Sequence, residues 1–453
     1  MIIRLLVKNL YSFNDLTEFN LLPGRFSRLA HHVSTHDNVE LLKLSVIYGA
    51  NGAGKSNLIN TLSLLRDFVK DGEMPIEFIT ETFKFDKKGR TKDVYIGIEF
   101  FKDETPYYYG LTINQGIIIE EELFISGLGT KDDKILFTRR DTVDGNNLEL
   151  QFSPEVEDNK ETAFFSSFLK NEILGRNKLV LFHMKSRQNE AFGHHKNAAN
   201  WFENGIEMIS PLARPHGLCL RLEKDATFFK FATDILRSFN TGIEHIHIET
   251  VPIEEYFGED DRQEANRFIA NLKANPERIA SRRNAYEEVI FVMEDNKPVA
   301  KSIWFSHNVD KGTARFMFSE ESDGTRRLME YLPALYSIVN KPKTFLIDEI
   351  ERSIHPLLIK EIIKKFSLDT ATKGQLIFST HESNLLDQEI FRPDEIWFAE
   401  KNNHGATELY PLSEFKEHHT IDIRKGYLNG RYGAIPFLGN FVDLNWEKYA
   451  KTK

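Results

Sequence analysis

Gly49-Ala-Asn-Gly-Ala-Gly-Lys55-Ser56 decides the fold of this chain, because it meets the pattern G-x-x-x-x-G-K-[ST] in the setting the pattern requires. The apolar run Leu44-Ser-Val-Ile-Tyr48 before it reads as a buried strand, and a helical pattern over residues 55–68 follows. Strand, glycine loop and helix make an anion site. Glycines at 49, 52 and 54 let backbone N–H groups approach phosphate oxygens, and the helix N-terminus adds unpaired N–H groups and its positive dipole end. Gly49, Ala50, Asn51, Gly52, Ala53, Gly54, Lys55, Ser56 and Asn57 are therefore the expected nucleotide-binding residues. Lys55 supplies the cation, and Ser56 a hydroxyl for Mg²⁺. The pattern fits ATP and GTP alike.

Three later segments add what a phosphate loop lacks. In Lys343-Thr-Phe-Leu-Ile-Asp348-Glu349 an apolar run ends in two acids, at the carboxyl end of a buried strand, where open α/β sheets bind ligands. Asp348 is placed to hold Mg²⁺ through water, and Glu349 to orient or deprotonate the attacking water. Gln375-Leu-Ile-Phe-Ser-Thr380-His381 reads as the strand beside the acid pair, delivering His381 towards a γ-phosphate. Ser322-Asp-Gly324-Thr325 lies between a strand, Thr313-Ala-Arg-Phe-Met-Phe318, and an apolar-periodic helix with Leu328, Tyr331, Leu332 and Leu335. That is a second helix N-terminus suited to an anion, although Ser322 or Asp323 there is equally a plain N-cap.

The order phosphate loop, serine-glycine motif, acid pair and histidine resembles the ATP-binding-cassette ATPases, in the SMC, RecF, RecN and OLD branch whose heads are split by an insertion. The resemblance implies an α/β fold: an ABC-type head with a mixed or parallel core sheet and an antiparallel β lobe. It implies ATP and Mg²⁺ as cofactors, ATP hydrolysis with Glu349 and His381 as catalytic residues, and a homodimer or higher homo-oligomer. Ser322, Asp323 and Gly324 would complete the nucleotide site of the opposite subunit, and Ser353-Ile-His355-Pro occupies the place of the loop through which two such sites communicate. Asp323 and Thr325 depart from the Gly and Gln of transporter-type signatures. Tyr11, in Lys8-Asn-Leu-Tyr-Ser-Phe13, stands where SMC-branch proteins often carry an arginine.

In the final third the match narrows. Glu321-Ser-Asp-Gly-Thr-Arg-Arg-Leu, Ile347-Asp-Glu-Ile-Glu-Arg-Ser-Ile-His-Pro, Ser379-Thr-His-Glu-Ser-Asn-Leu-Leu-Asp387, Asp394-Glu-Ile-Trp-Phe398 and Lys425-Gly-Tyr-Leu-Asn-Gly-Arg-Tyr-Gly-Ala-Ile-Pro436 are similar to the AbiLi/RloA-type ATPases. That family includes proteins of bacterial abortive-infection and restriction loci, and the ATPase of the PARIS anti-phage system is similar. The resemblance implies a regulatory ATPase whose partner is a separately encoded effector, Toprim-like or another nuclease. It leaves open a phage protein as trigger and nucleic acid as a further partner.

Composition sets the bounds. With 453 residues and 41% hydrophobic content the chain can bury a large core, interrupted by one insertion. No apolar run is long enough to span a membrane, and Met1-Ile-Ile-Arg-Leu-Leu-Val reads as a first strand, so a cytoplasmic location without a membrane partner is expected. The single Cys219 excludes an internal disulfide and any multi-cysteine metal site. A net charge of −10 argues against a generally basic surface. Arg278, Arg282 and Arg283 are the best local basic patch, aligned if helical, with Glu287 and Glu288 nearby to neutralise it.

Three segments follow: an N-terminal ATPase lobe over 1–148, a mainly helical insertion over 149–295, and a C-terminal ATPase lobe over 296–453. The insertion holds an apolar stripe of Phe228, Phe231, Ile235 and Phe239 on a helix from Thr227 to Asn240, and a strand through His245-Ile-His-Ile-Glu249, without coiled-coil heptads. About seventy residues follow His381, too few for a nuclease domain of ordinary size. The adjacent pairs His31-His32, His194-His195 and His418-His419 suit packing or solvation better than one metal, and the spacing of Arg187 and His194 matches small ribonuclease domains only loosely. Two rival readings stand beside the regulatory ATPase: a RecF- or SMC-like DNA-binding repair or recombination ATPase, and a stand-alone OLD-like nuclease.

Overall fold

The computed structural model describes residues 1–36, 39–141, 148–211, 216–239, 241–284, 288–309, 312–415, 417–418 and 421–435. Asn240, Glu287, His419 and Pro436, named above, lie outside them. The run Leu44-Ser-Val-Ile-Tyr48 is buried at every residue because it is an inner strand, β1 (Leu44–Tyr48), and it feeds the glycine loop and α1 (Lys55–Asp71). The core sheet also contains β2 (Ile206–Ile209), β3 (Thr344–Ile347), β4 (Gln375–Thr380), β5 (Ile396–Lys401) and β6 (Thr407–Pro411), in the spatial order β2-β3-β4-β1-β5-β6. Neighbours run parallel except β5 and β6.

Parallel strands need cover on both faces, which explains their continuous apolar runs. On one face Leu58, Leu62, Leu65 and Phe68 of α1, at helical spacing, join a core with Ile47, Leu346 and Ile377. On the other, Tyr331, Ala334 and Ile338 of α2 (Asp323–Asn340) and Ile359, Ile363 and Phe366 of α3 (Pro356–Leu368) pack with Val46, Phe345 and Phe378.

A second, antiparallel sheet closes over α1. Its order is Glu149–Phe152, Lys134–Arg140, Ile117–Ile125, Thr105–Asn114, Val94–Lys102, Ile2–Lys8, Thr17–Asn20, and Val7, Ile96, Ile98 and Tyr109 share the core of α1. Gln375 ties it to the core sheet. Its amide oxygen accepts from Ile2 N (2.8 Å) and Thr344 Oγ1 (2.9 Å), and its amide nitrogen donates to Ile2 O and Leu42 O (both 2.9 Å). The α/β class with a core sheet and an antiparallel lobe is thus as expected.

The third sheet is antiparallel: Ile243–Pro252, Lys297–Val309, Glu288–Glu294 and Ala280–Arg283, with Gly312–Met317 also paired to Lys297–Val309. Helix Ala226–Ser238 packs Phe228, Ala232 and Leu236 between this sheet and Leu328, Met329 and Leu332 of α2. Sheet membership cuts across the expected segment boundaries. Residues 149–295 are richer in helix than in strand, yet Glu149–Phe152 belongs to the second sheet, β2 to the core, and Ile243–Pro252 pairs with Lys297–Val309. The helical alignment of Arg278, Arg282 and Arg283 is corrected: Pro276 lies just beyond helix Arg262–Ala274, and Ala280–Arg283 is a strand. Arg282 lies 3.8 Å from Asp261 and from Glu264, and Arg283 2.9 Å from Glu288.

Candidate nucleotide site

The glycines of the loop are required by what presses on it from behind. Gly54 adopts φ +108°, and a Cβ there would lie 2.1 Å from Thr407 Oγ1 and 2.7 Å from Ser12 Oγ. At Gly49 it would lie 2.4 Å from the Ala399 carbonyl oxygen. Thr407 Oγ1 is 2.7 Å from both Ala53 O and Ser12 Oγ, and Asn57 Nδ2 donates to Ser12 Oγ at 2.7 Å. Strands β5 and β6 and the loop at Ser12 therefore brace the phosphate loop.

Lys55 begins α1 and is buried. Its ammonium donates to Gly49 O (2.8 Å) and Ala50 O (3.1 Å) and lies 3.3 Å from His381 Nδ1. Burial pulls its pKa down to about 8, against the opposing pull of Asp348, Glu351 and Glu349. His381 is shifted down as well, by burial first and by Lys55 second, so its ring is neutral at pH 7 and can accept from the ammonium.

A cleft of about 520 Å³ opens here, lined by Asn51, Gly52, Gly54, Lys55, Ser56, Asn57, Glu349, Glu351, Arg352 and His381. Asp348 is buried beside it, outside the lining, and receives a hydrogen bond from the Ser379 hydroxyl. Ser379 Oγ also accepts from Glu349 N at 2.9 Å. Glu349 takes the left-handed conformation at φ +52°, a local strain of about 1–3 kcal/mol that turns the chain off the strand and sets its side chain at the cleft. Glu351 Oε1 accepts from His381 N at 2.7 Å, and Glu351 Oε2 is buried without a hydrogen-bond partner among the described residues.

Oxygen donors of this kind suit Mg²⁺, which takes few protein ligands and keeps several waters. The Ser56 hydroxyl in the cleft and the buried Asp348 carboxylate are the groups that fit.

Ser322, Asp323 and Gly324 are placed elsewhere. Ser322 caps α2, accepting from Thr325 N at 3.1 Å, and Asp323 pairs with Arg326. None of the three lines the cleft of its own chain. Ser322 and Asp323 are exposed, and a Cβ on Gly324 would lie 2.8 Å from Ser353 O, so the motif sits against the loop after the acid pair. Among the other candidates, His32 is buried 2.8 Å from Glu395, His195 is 3.1 Å from Leu136 O, and Arg187 stacks on Phe165 at 4.2 Å. Sequence reasoning missed Ser12, Thr407, Glu351 and Arg352. The first two touch the loop only through long-range folding and carry no local signal; Glu351, two residues beyond the acid pair, could have been found as a third acid in the same turn.

A family model described as "AAA domain, putative AbiEii toxin, Type IV TA system" matches residues 44–387, from β1 to just beyond His381. The chain belongs to this family. The match spans every element of the nucleotide cleft and both the motifs at Ser322 and Ser353, which makes the molecule an ABC-type ATPase of the AbiEii-type AAA group. Among solved structures it is similar to the SMC head domain from Thermotoga maritima, at 13% identity and a TM-score of 0.36, covering 90% of this chain and 98% of that one. It is similar also to an SMC head bound to the C-winged helix domain of ScpA, at 12% identity and a TM-score of 0.41, covering 92% of this chain and 99% of that one. No curated protein matches the sequence. Among the described residues no helix is long and apolar enough to cross a membrane.

Proposed function

We propose that this AbiEii-type chain binds and hydrolyses ATP with Mg²⁺, and that it is the sensor or regulatory subunit of a bacterial anti-phage system, restraining or releasing a separately encoded effector, a nuclease. One observation carries the reading: Lys55, Glu349 and His381 share a cleft with Asp348 beside it, while the helix start at Ser322–Gly324, with Ser322 and Asp323 exposed, stays out of that cleft. A cleft that lacks this helix start, together with a helix start that would suit an anion outside it, fits a homodimer in which each copy completes the other's site. Nucleotide then favours association, because ligand that binds only the assembled form stabilises it by mass action.

In this scheme Lys55 and the loop N–H groups hold the phosphates, and Glu349 orients the attacking water beside His381. Ser56 and Asp348 would hold Mg²⁺, which would supply neutralisation of phosphate charge. The family's description, naming a toxin of a type IV toxin–antitoxin system, supports the defence setting.

Light scattering with and without ATP, together with steady-state hydrolysis, tests the biochemical core. Glu349→Gln should keep nucleotide binding, lose hydrolysis by about 10²–10⁴-fold and accumulate the larger species. Lys55→Ala should lose binding and stay small. A mass unaffected by ATP in wild type and both variants would remove the dimer step. Phage-challenged cells in which both variants control the effector as well as wild type would remove the regulatory one.

A further inference from the structure

The turn after β3 and the end of β4 hold each other reciprocally. Ser379 on β4 contacts the acid pair through its hydroxyl, reaching the Asp348 carboxylate and Glu349 N. In return Glu351 reaches back to β4, accepting from His381 N at 2.7 Å. Further bonds tighten the turn, Arg352 N to Glu349 O at 3.0 Å and Ile354 N to Glu351 O at 3.1 Å. Glu351 is thus fixed at one oxygen. The other, Oε2, is buried on a residue that lines the cleft and has no partner among the described residues. A buried acceptor left without a donor is costly, and such groups in native structures mark a catalytic role or a partner that arrives later. The clamp on His381 needs one acceptor atom only, and the charge of Glu351 also compensates part of the burial of the Lys55 ammonium, which leaves the second oxygen without a hydrogen-bonding role among the described residues.

We propose that Glu351 is a second carboxylate of the hydrolysis site, an inference that rests on the ATPase reading above. One oxygen holds the His381 peptide at the phosphate end of the cleft. The other, sealed from solvent in this structure, accepts a hydrogen bond from the attacking water once nucleotide seats and the turn opens, with Glu349 two residues before it as the first acceptor. Two acceptors fix the direction of a water better than one, and that direction matters for an in-line attack on the terminal phosphate.

Glu351→Gln separates the two roles, since the amide oxygen can still accept from His381 N while the amide nitrogen cannot accept from water. The assay is steady-state ATP hydrolysis with Mg²⁺, alongside equilibrium binding of a slowly hydrolysed ATP analogue and a thermal melt. The expected result is a kcat at least tenfold lower for Glu351→Gln, with KM and analogue affinity within twofold of wild type and an unchanged melt. Glu351→Ala should fall at least as far. A Glu351→Gln enzyme with wild-type kcat, while Glu349→Gln is inactive, overturns the inference and leaves the ATPase reading intact. So does a variant whose analogue affinity falls while kcat is kept, which marks a structural role. A wild-type protein that binds the analogue and hydrolyses nothing overturns both.

Discussion

Lys55 gives the nucleotide site a pH dependence with two opposite slopes. Its ordinary value of 10.5 falls to about 8 in the folded chain, because the ammonium is buried and its neighbours Asp348, Glu351 and Glu349 recover only part of the lost hydration. Phosphate binding needs the charged form, so affinity for ATP should weaken as pH rises through about 8. At pH 9, one unit above that value, about a tenth of the lysines carry the proton, and apparent Kd rises about tenfold over pH 7, or about 1.4 kcal/mol. Stability of the nucleotide-free protein moves the other way. Between pH 8 and 10.5 the unfolded chain binds more protons at this residue than the folded one, so the contribution of Lys55 to stability rises with pH. The full linkage corresponds to at most about 3 kcal/mol, lowered by the residue's partial contact with solvent. Calorimetric titration of ATP from pH 7 to 9.5 and denaturant unfolding of the apo protein over the same range measure the two slopes, and Lys55→Met should flatten the second. An apparent Kd that changes by less than twofold up to pH 9.5 would refute the argument that burial governs this lysine.

Two other perturbations probe what holds the site in place. Gly54→Ala would put a methyl group 2.1 Å from Thr407 Oγ1 at φ +108°. Left-handed strain and overpacking together cost about 2–5 kcal/mol, so the loop should leave its brace and ATP affinity should fall by at least about tenfold, read by fluorescent-nucleotide titration. Gln375→Ala removes four buried hydrogen bonds that join strand Ile2–Lys8, the end of strand Val39–Leu42 and β3, and should lower unfolding free energy by about 3–6 kcal/mol in denaturant titration, since the orphaned groups stay buried.

Where the sequence was readable, the signal was local. Leu44-Ser-Val-Ile-Tyr48, Thr344-Phe-Leu-Ile347 and Gln375-Leu-Ile-Phe-Ser-Thr380 are each buried at every residue, and each leads into a segment that reaches the cleft: the glycine loop, the acid pair or His381. A parallel strand buried on both faces writes itself as one apolar run, so its end marks the site. Ile206-Glu-Met-Ile209 has no such run, and its place at the sheet edge beside β3 is fixed by pairing with a distant segment. The arginines around Ala280–Arg283 misled for a similar reason: spacing suited to a helix was overridden by pairing with Glu288–Glu294. Ser12 and Thr407 brace the phosphate loop from two lobes, a relation that exists only once both sheets are formed.

The same packing says how a partner could reach the nucleotide. Helix α2 is buried on two sides by different units: Leu328, Met329 and Leu332 face helix Ala226–Ser238 and the third sheet, while Tyr331, Ala334 and Ile338 face the core sheet. From that helix Tyr331 donates to Ile350 O at 3.3 Å, one residue from both Glu349 and Glu351, and Gly324 lies against Ser353. A densely packed interior transmits displacement instead of absorbing it. A partner that tilts the third sheet must therefore move α2, and α2 cannot move without carrying the Ser322 cap and disturbing the turn that sets Glu349. Tyr331→Phe tests the link directly. It keeps the packing and removes the hydroxyl, so stability should change by only about 0.5–1.5 kcal/mol. Hydrolysis should then lose part of any response to a bound partner while basal ATP affinity stays the same. Unaltered coupling in that variant would place the connection in the Gly324–Ser353 contact instead.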